Sequence, residues 1–291
     1  MALRGPAIHR SRIGIVTDSA ACLPAEVAGE LGIAVVPLAL AIGATEYRDG
    51  AGPARAEFYR RLRNERTPPR TAAPSPGALL AGFRSLGTSE VVCLTVAAVY
   101  SATHANASLA AARAAAEGLV VRVVDSETAA AAEGYVVRAA AESAIAGAAI
   151  DAVVAAAERA RNEVGLLMLI ESLDYLARGG RVPRVAAWAS GLLRVRPIVE
   201  LRQGRVRLAG RAQSRRRGLE TMVGLLASRS LAGGHLYLTV QHADAPADAE
   251  LLATLAGERL RPAALEVSEF TQVMTTHVGP GLVGFAYRLK T

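Results

Sequence analysis

Three side chains are of kinds that hold or process an anion or a carbonyl group, and each stands where the chain turns. Thr71 opens Thr71-Ala72-Ala73-Pro74-Ser75-Pro76, Ser101 lies between an apolar run and an alanine-rich one, and His277 heads His277-Val278-Gly279-Pro280-Gly281. Hydroxyls and an imidazole both donate and accept hydrogen bonds, so the set suits a bound anion or a Ser–His hydrolase. Each residue also has a plainer role: Thr71 as a cap for the helix after Pro76, Ser101 as an N-cap, His277 as a structural histidine. No G-x-S-x-G elbow, P-loop or metal-ligand triad accompanies them. That weighs against an enzyme acting alone, whether a hydrolase built on Ser101 and His277 or a phosphotransferase built on the glycines.

The charge balance points the same way. Formal net charge is +7 over 291 residues, carried by Arg far more than Lys, which favours anionic partners. The densest basic cluster is Arg211, Arg215, Arg216 and Arg217, either a solvated face or a docking patch for an acidic surface. A nucleic-acid binder would need an aromatic platform, and the chain has four Phe and one Trp. Cys22 and Cys93 lack metal-ligand spacing and read as small buried thiols in a reducing compartment. Met1 to Arg12 has no signal-length apolar run after it, and later apolar runs contain Glu142 and Asp151. A cytoplasmic protein without stable membrane insertion, metal or cofactor is therefore expected.

These residues must be positioned by alternating elements. Strand 13–16 runs into Thr17, Asp18 and Ser19 and then a helix over 24–31. Strand 33–40, helix 54–64, a proline-rich loop 67–76, helix 77–86, strand 90–96, helix 102–117 and strand 119–124 follow. Parallel strands would bring Thr17, Thr95 and Asp125 to one edge, where such sheets bind ligands. An alanine-rich helical stretch, 134–161, precedes a second half that starts with strand 166–170. That half adds a hairpin (197–201 and 206–209 around Gly204) and strands 235–241 and 273–277, which fits a mixed sheet better than a parallel one. The expected class is α/β: an N-terminal doubly wound parallel sheet over 11–163 and a C-terminal α/β (α+β) domain with a mixed sheet over 164–291. At 291 residues two domains are natural, and two domains imply a ligand cleft between them.

Four separated stretches in order together resemble the DegV family, which includes the fatty-acid-binding subunits of bacterial fatty acid kinase. They are Ile15-Val16-Thr17-Asp18-Ser19, the Thr71–Pro76 loop, Leu173-Asp174-Tyr175-Leu176-Ala177-Arg178-Gly179-Gly180-Arg181, and the His277–Gly281 ending. The resemblance implies a long-chain fatty acid between the two domains and no catalysis by this chain. It also implies a possible partner, an ATP-dependent kinase subunit that converts the presented carboxylate to an acyl phosphate.

A fatty acid poses two physical problems. Its tail contributes roughly 0.8 kcal/mol per buried methylene, on the order of 11 kcal/mol for about fourteen of them before association costs. Its carboxylate costs several kcal/mol to strip of water unless hydrogen bonds replace that water. By resemblance Thr71, Ser101 and His277 would supply those bonds. Ala72, Ala102, Arg181, Gly279 and Gly281 would shape the pocket, the glycines through backbone freedom and Arg181 by pairing with a carbonyl or an acid such as Asp174. The run Ala186, Ala187, Trp188, Leu192 and Leu193 would wall the tail, and Arg211, Arg215 and Arg216 would dock a partner.

The sequence departs from the family pattern at several polar positions. Ala72 and Ala73 follow Thr71 where Ser and Gln are usual, and Ala97 and Ala98 replace a serine pair. Gln213 stands for an arginine and Val278 for a threonine. These departures weaken a kinase-coupled role more than a binding role.

Overall fold

The computed structural model describes residues 11–64, 69–181, 195–230 and 235–290. The described residues up to Leu38 form one compact unit with Ala73–Asn162. Ala39–Ala72 and the described residues from Glu163 onward form the other.

The first unit is a four-stranded, all-parallel sheet in the order β2-β1-β6-β7. Its strands are β1 (Ile13–Asp18), β2 (Ile33–Val36), β6 (Glu90–Thr95) and β7 (Val120–Asp125). Strand β1 is buried at every position, as a central strand covered on both faces should be. Helices α3 (Pro76–Ser85) and α4 (Thr103–Ala115) cover one face, packing Leu79, Leu80 and Phe83 against Val16, Val91 and Cys93. The alanine bias now has a physical reading. Ala107, Ala110 and Ala114 share one stripe of α4 and are fully buried, so small side chains let that helix lie close to the sheet. Helix α5 (Ala130–Ile145) is joined to β1 by Thr17, whose hydroxyl donates to Glu133 at 3.3 Å.

The strand tips of this unit are rich in polar groups that serve its own backbone. Asp18 accepts the amide of Ala20 at 2.9 Å with one oxygen and that of Val96 at 2.9 Å with the other. Asp125 accepts from Ala98 and Glu127. The register puts Thr95 opposite Asp125, so the polar edge read from the sequence is present.

The second unit holds a six-stranded mixed sheet in the order β10-β9-β8-β13-β11-β12, in which only β11 and β12 run parallel. The strands are β8 (Val164–Leu169), β9 (Arg196–Arg202), β10 (Arg205–Ala212), β11 (His235–His242), β12 (Ala264–Glu269) and β13 (Val283–Lys290). Helices α8 (Arg215–Ser230) and α9 (Pro246–Leu260) cover one face through Leu219, Met222, Val223, Leu252 and Ala256. Within that core Glu200 is fully buried but not alone. Arg229, Arg207 and the Tyr287 hydroxyl surround it; burial pushes its carboxyl up, and these partners more than offset the push and hold it ionised.

Several expectations require correction. The contiguous division at 163/164 misses that 39–72 packs with the C-terminal half. This excursion makes its own antiparallel sheet, β4-β3-β5, from β3 (Ala39–Ile42), β4 (Thr45–Arg48) and β5 (Arg70–Ala72), and carries α2 (Arg55–Asn64). It is tied down where Asp49 accepts the amide of Val273, Gln272 donates to the Pro53 carbonyl, and Arg55 donates to that of Phe270. The single strand expected over 33–40 is therefore two strands in two sheets, and the loop over 67–76 contains β5.

The strand expected over 273–277 is a helix, α10 (Gln272–Val278). Thr271 caps it by accepting the amide of Met274, and Gly279 ends it at φ +79°. Run 186–193 lies outside the described residues.

Candidate functional site

The second unit contains a cavity of about 330 Å³, built from three short elements. Strand β5 supplies Arg70 and Thr71, Thr71 being paired across the sheet with Leu40. Helix α10 supplies Thr276 and His277 from its last turn. Helix α7 (Asp174–Gly179) supplies Tyr175, Arg178 and Gly179, and Arg181 follows it. Leu62 of α2 and Pro69 complete the lining.

Thr71 and His277, 206 residues apart, meet here: Thr71 Oγ1 lies 2.9 Å from His277 Nε2. Burial drives the imidazole pKa down to about 4, and the nearby Arg181 guanidinium pushes the same way, so the ring is neutral at physiological pH. Its Nδ1 is buried with no hydrogen-bond partner among the described residues. The placement of its single proton decides what the pair can do. A proton on Nε2 makes the ring donate to Thr71 Oγ1 and frees the threonine O–H to donate into the cavity. A proton on Nδ1 instead requires that O–H to donate to Nε2.

The glycines set the shape. A Cβ at Gly279 would lie 2.2 Å from Tyr175 Cδ2, and the residue also sits at positive φ, so glycine is required twice over. A Cβ on Gly179 would come within 3.1 Å of His277 Nδ1. Gly281 (φ +87°) belongs to the turn after α10; its amide donates to the Ala243 carbonyl, and its own carbonyl accepts from Arg215.

Arg215 also pairs with Glu171 and Asp248 and is only 24% exposed at the side chain. It staples three segments together and is not a free docking group, which corrects the expectation for that residue. Arg211 and Arg216 are exposed, Arg216 pairing with Glu220 one turn on. Arg181 donates to the Gly179 carbonyl at 2.7 Å, so its partner is a carbonyl and no ion pair with Asp174 is seen.

Ser101 and Ala102 lie on the first unit, at the start of α4. There the Ser101 hydroxyl accepts the amide of Thr103 and contacts Thr103 Oγ1 at 2.8 Å, a local turn just before the helix, whose N-cap position is Ala102. Ala72 is exposed at the end of β5.

Sequence reasoning missed Tyr175, Arg178 and Arg70. The first two lie inside the Leu173–Arg181 motif three residues apart, a spacing that puts both on one helical face, and Arg178 stacks 5.0 Å from the Tyr175 ring centre. Among the described residues no group of three or more His, Cys, Asp or Glu is placed to hold a metal ion, and no helix is long and apolar enough to cross a membrane.

Comparison with known proteins places this geometry in context. The family model for the uncharacterised DegV family matches residues 12–290. A DegV domain-containing protein of Streptomyces coelicolor is 34% identical over 276 residues, covering 94% of this chain and 96% of its own. Among solved structures, a fatty-acid-binding DegV family protein from Thermus thermophilus superposes with a TM-score of 0.89 at 28% identity, covering 96% of this chain and 99% of its own. A Thermotoga maritima protein whose structure revealed a fatty acid binding function gives 0.83 at 26%, with the same coverages. The α/β class read from the sequence, a parallel sheet followed by a mixed one, is the architecture of these proteins. A family match from residue 12 to residue 290, with the fold shared, means that this chain belongs to the DegV family.

Proposed function

We propose that the chain binds a long-chain fatty acid, performs no chemistry on it alone, and holds its carboxylate at the Thr71–His277 pair. The observation that carries this reading is that pair: a hydroxyl and a neutral, partly unsatisfied imidazole at a cavity of about 330 Å³, in a family whose structural neighbours bind fatty acids. In the productive tautomer His277 donates to Thr71, and Thr71 donates to a carboxylate oxygen. Gly279 and Gly179 make room for this arrangement, and Arg181 adds positive potential.

Handing the carboxylate to an ATP-dependent kinase subunit, which would form an acyl phosphate, is the finer part of the proposal. With Arg215 engaged inside the unit, docking would rest on the exposed Arg211 and Arg216.

The test is direct. Organic extraction of the purified protein followed by mass spectrometry is expected to yield about one fatty acid per chain. A protein free of lipid that also fails to take up added palmitate contradicts the reading.

A further inference from the structure

Thr71 and His277 ride on separate pieces of the second unit. Strand β5 is the edge of its small sheet and pairs with β3 alone among the described residues, whereas His277 stands in the last turn of α10. Their separation therefore depends on how the 39–72 excursion is fastened to the rest of the unit. That fastening centres on Tyr59 of α2, which is buried. Its hydroxyl donates to Glu269 Oε1 at the end of β12 and accepts the amide of Asp244, just past the end of β11, at 3.1 Å. Arg55 pairs with Glu269 Oε2 at 3.0 Å and donates to the Phe270 carbonyl at 2.8 Å, while Arg63 pairs with Asp244.

Both strand ends adjoin α10. Strand β12 leads through Phe270 and Thr271 directly into it. On the other side Asp244 sits at φ +53°, and its neighbour Ala243 accepts the amide of Gly281, in the turn after the helix, at 2.7 Å. The Tyr59 hydroxyl thus grips the chain on both sides of the helix that carries His277. Burial, followed by the bond to Glu269, pushes the phenol well above its ordinary range, so it stays a donor. Tyr59 does not line the cavity, although Leu62 of the same helix does. Any effect it has on a ligand must pass through the placement of other groups.

Resting on the fatty-acid reading above, we infer that Tyr59 is a positioning residue of the head-group site: by joining Glu269 to Asp244 it keeps Thr71 and His277 at hydrogen-bonding distance, and so sets the affinity for a fatty acid.

A double-mutant cycle read by palmitate titration tests this. Tyr59→Phe keeps the ring against Phe58 and removes only the hydroxyl, leaving Asp244 and Glu269 each short of a partner. It should weaken palmitate binding about fivefold in the otherwise unaltered chain and by less than about twofold in the Thr71→Val chain, because the pair it positions is already gone. Tyr287→Phe is the control: it removes a buried hydroxyl bonded to Glu200 in the same unit and should lower Tm while leaving palmitate affinity unchanged. The imidazole nitrogen NMR shifts of His277 without ligand should move in Tyr59→Phe and stay in place in Tyr287→Phe. If Tyr59→Phe misfolds, Glu269→Gln, which keeps an acceptor for the phenol but weakens the pair with Arg55, should cost about twofold to threefold in affinity by the same cycle. Unchanged affinity in the variant used, or an equal loss with and without Thr71, overturns this inference and leaves the fatty-acid reading standing. An unaltered chain that binds no palmitate overturns that reading itself.

Discussion

The strand tips of the first unit and the cavity of the second are both crowded with polar side chains, yet they do different work. At the tips, the carboxylates of Asp18 and Asp125 each accept two backbone amides and so hold loops in place. In the cavity His277 Nδ1 is buried with no partner among the described residues, and three arginines line a volume that no carboxylate of the described residues lines. The difference teaches that polar density does not identify a site. A polar group left unsatisfied beside an open volume is the stronger sign.

The comparison can be broken most forcefully at Gly279. Gly279→Ala puts a Cβ 2.2 Å from Tyr175 at a positive φ, and should destabilise the second unit by about 2 kcal/mol or more, lowering Tm by roughly 5 °C. An unchanged melting curve would mean the turn is not fixed as described.

Thr71→Val removes the hydroxyl with little change of shape. It should weaken palmitate binding roughly tenfold in a titration, with Tm nearly unchanged. Ser101→Ala should instead lower stability by about 1 kcal/mol, through loss of its hydrogen bonds to Thr103, and leave affinity alone.

Smaller effects separate the two regions by pH. The His277 pKa falls from its ordinary value near 6.5 to about 4 in the folded chain, so the unfolded state binds the proton more readily between those values. The stability this residue contributes is therefore present above pH 6.5 and lost as pH falls toward 4. Denaturation midpoints for His277→Gln should show a weaker acid dependence in that window. Glu133 behaves oppositely. Burial, together with Asp18 and Asp125, pushes its carboxyl well above the usual range, against the hydrogen bond from Thr17. Folding then favours the protonated acid, and stability declines as pH rises above the unfolded value. Glu133→Gln should raise Tm by a few degrees at pH 8 and by little at pH 4; equal shifts at both would show that charge is not the issue.

How much of this was legible in the sequence depends on how local the signal is. The parallel unit was readable because its strands alternate with helices at regular spacing and end in Thr17-Asp18 and Asp125-Ser126. The allegiance of 39–72 was not, since it rests on contacts such as Asp49 with Val273 across 224 residues. Strand β5 hid among prolines because it is three residues long. Helix α10 mimicked a strand because Val273, Thr275 and His277 alternate among β-branched neighbours; the Thr271 cap and Gly279 were the signals that should have prevailed. Thr71 and His277 were found through family motifs, whereas Arg178 and Tyr175 needed the helical spacing. The role of Arg215 was hidden because a cluster of arginines does not reveal which of them meets Glu171 and Asp248.

The central claim concerns where the carboxylate sits. A structure of the protein determined with palmitate bound tests it most directly. The account predicts a carboxylate oxygen within about 3.2 Å of Thr71 Oγ1, with His277 still paired to that hydroxyl. A carboxylate bound elsewhere, with the Thr71–His277 pair facing solvent alone, would contradict it.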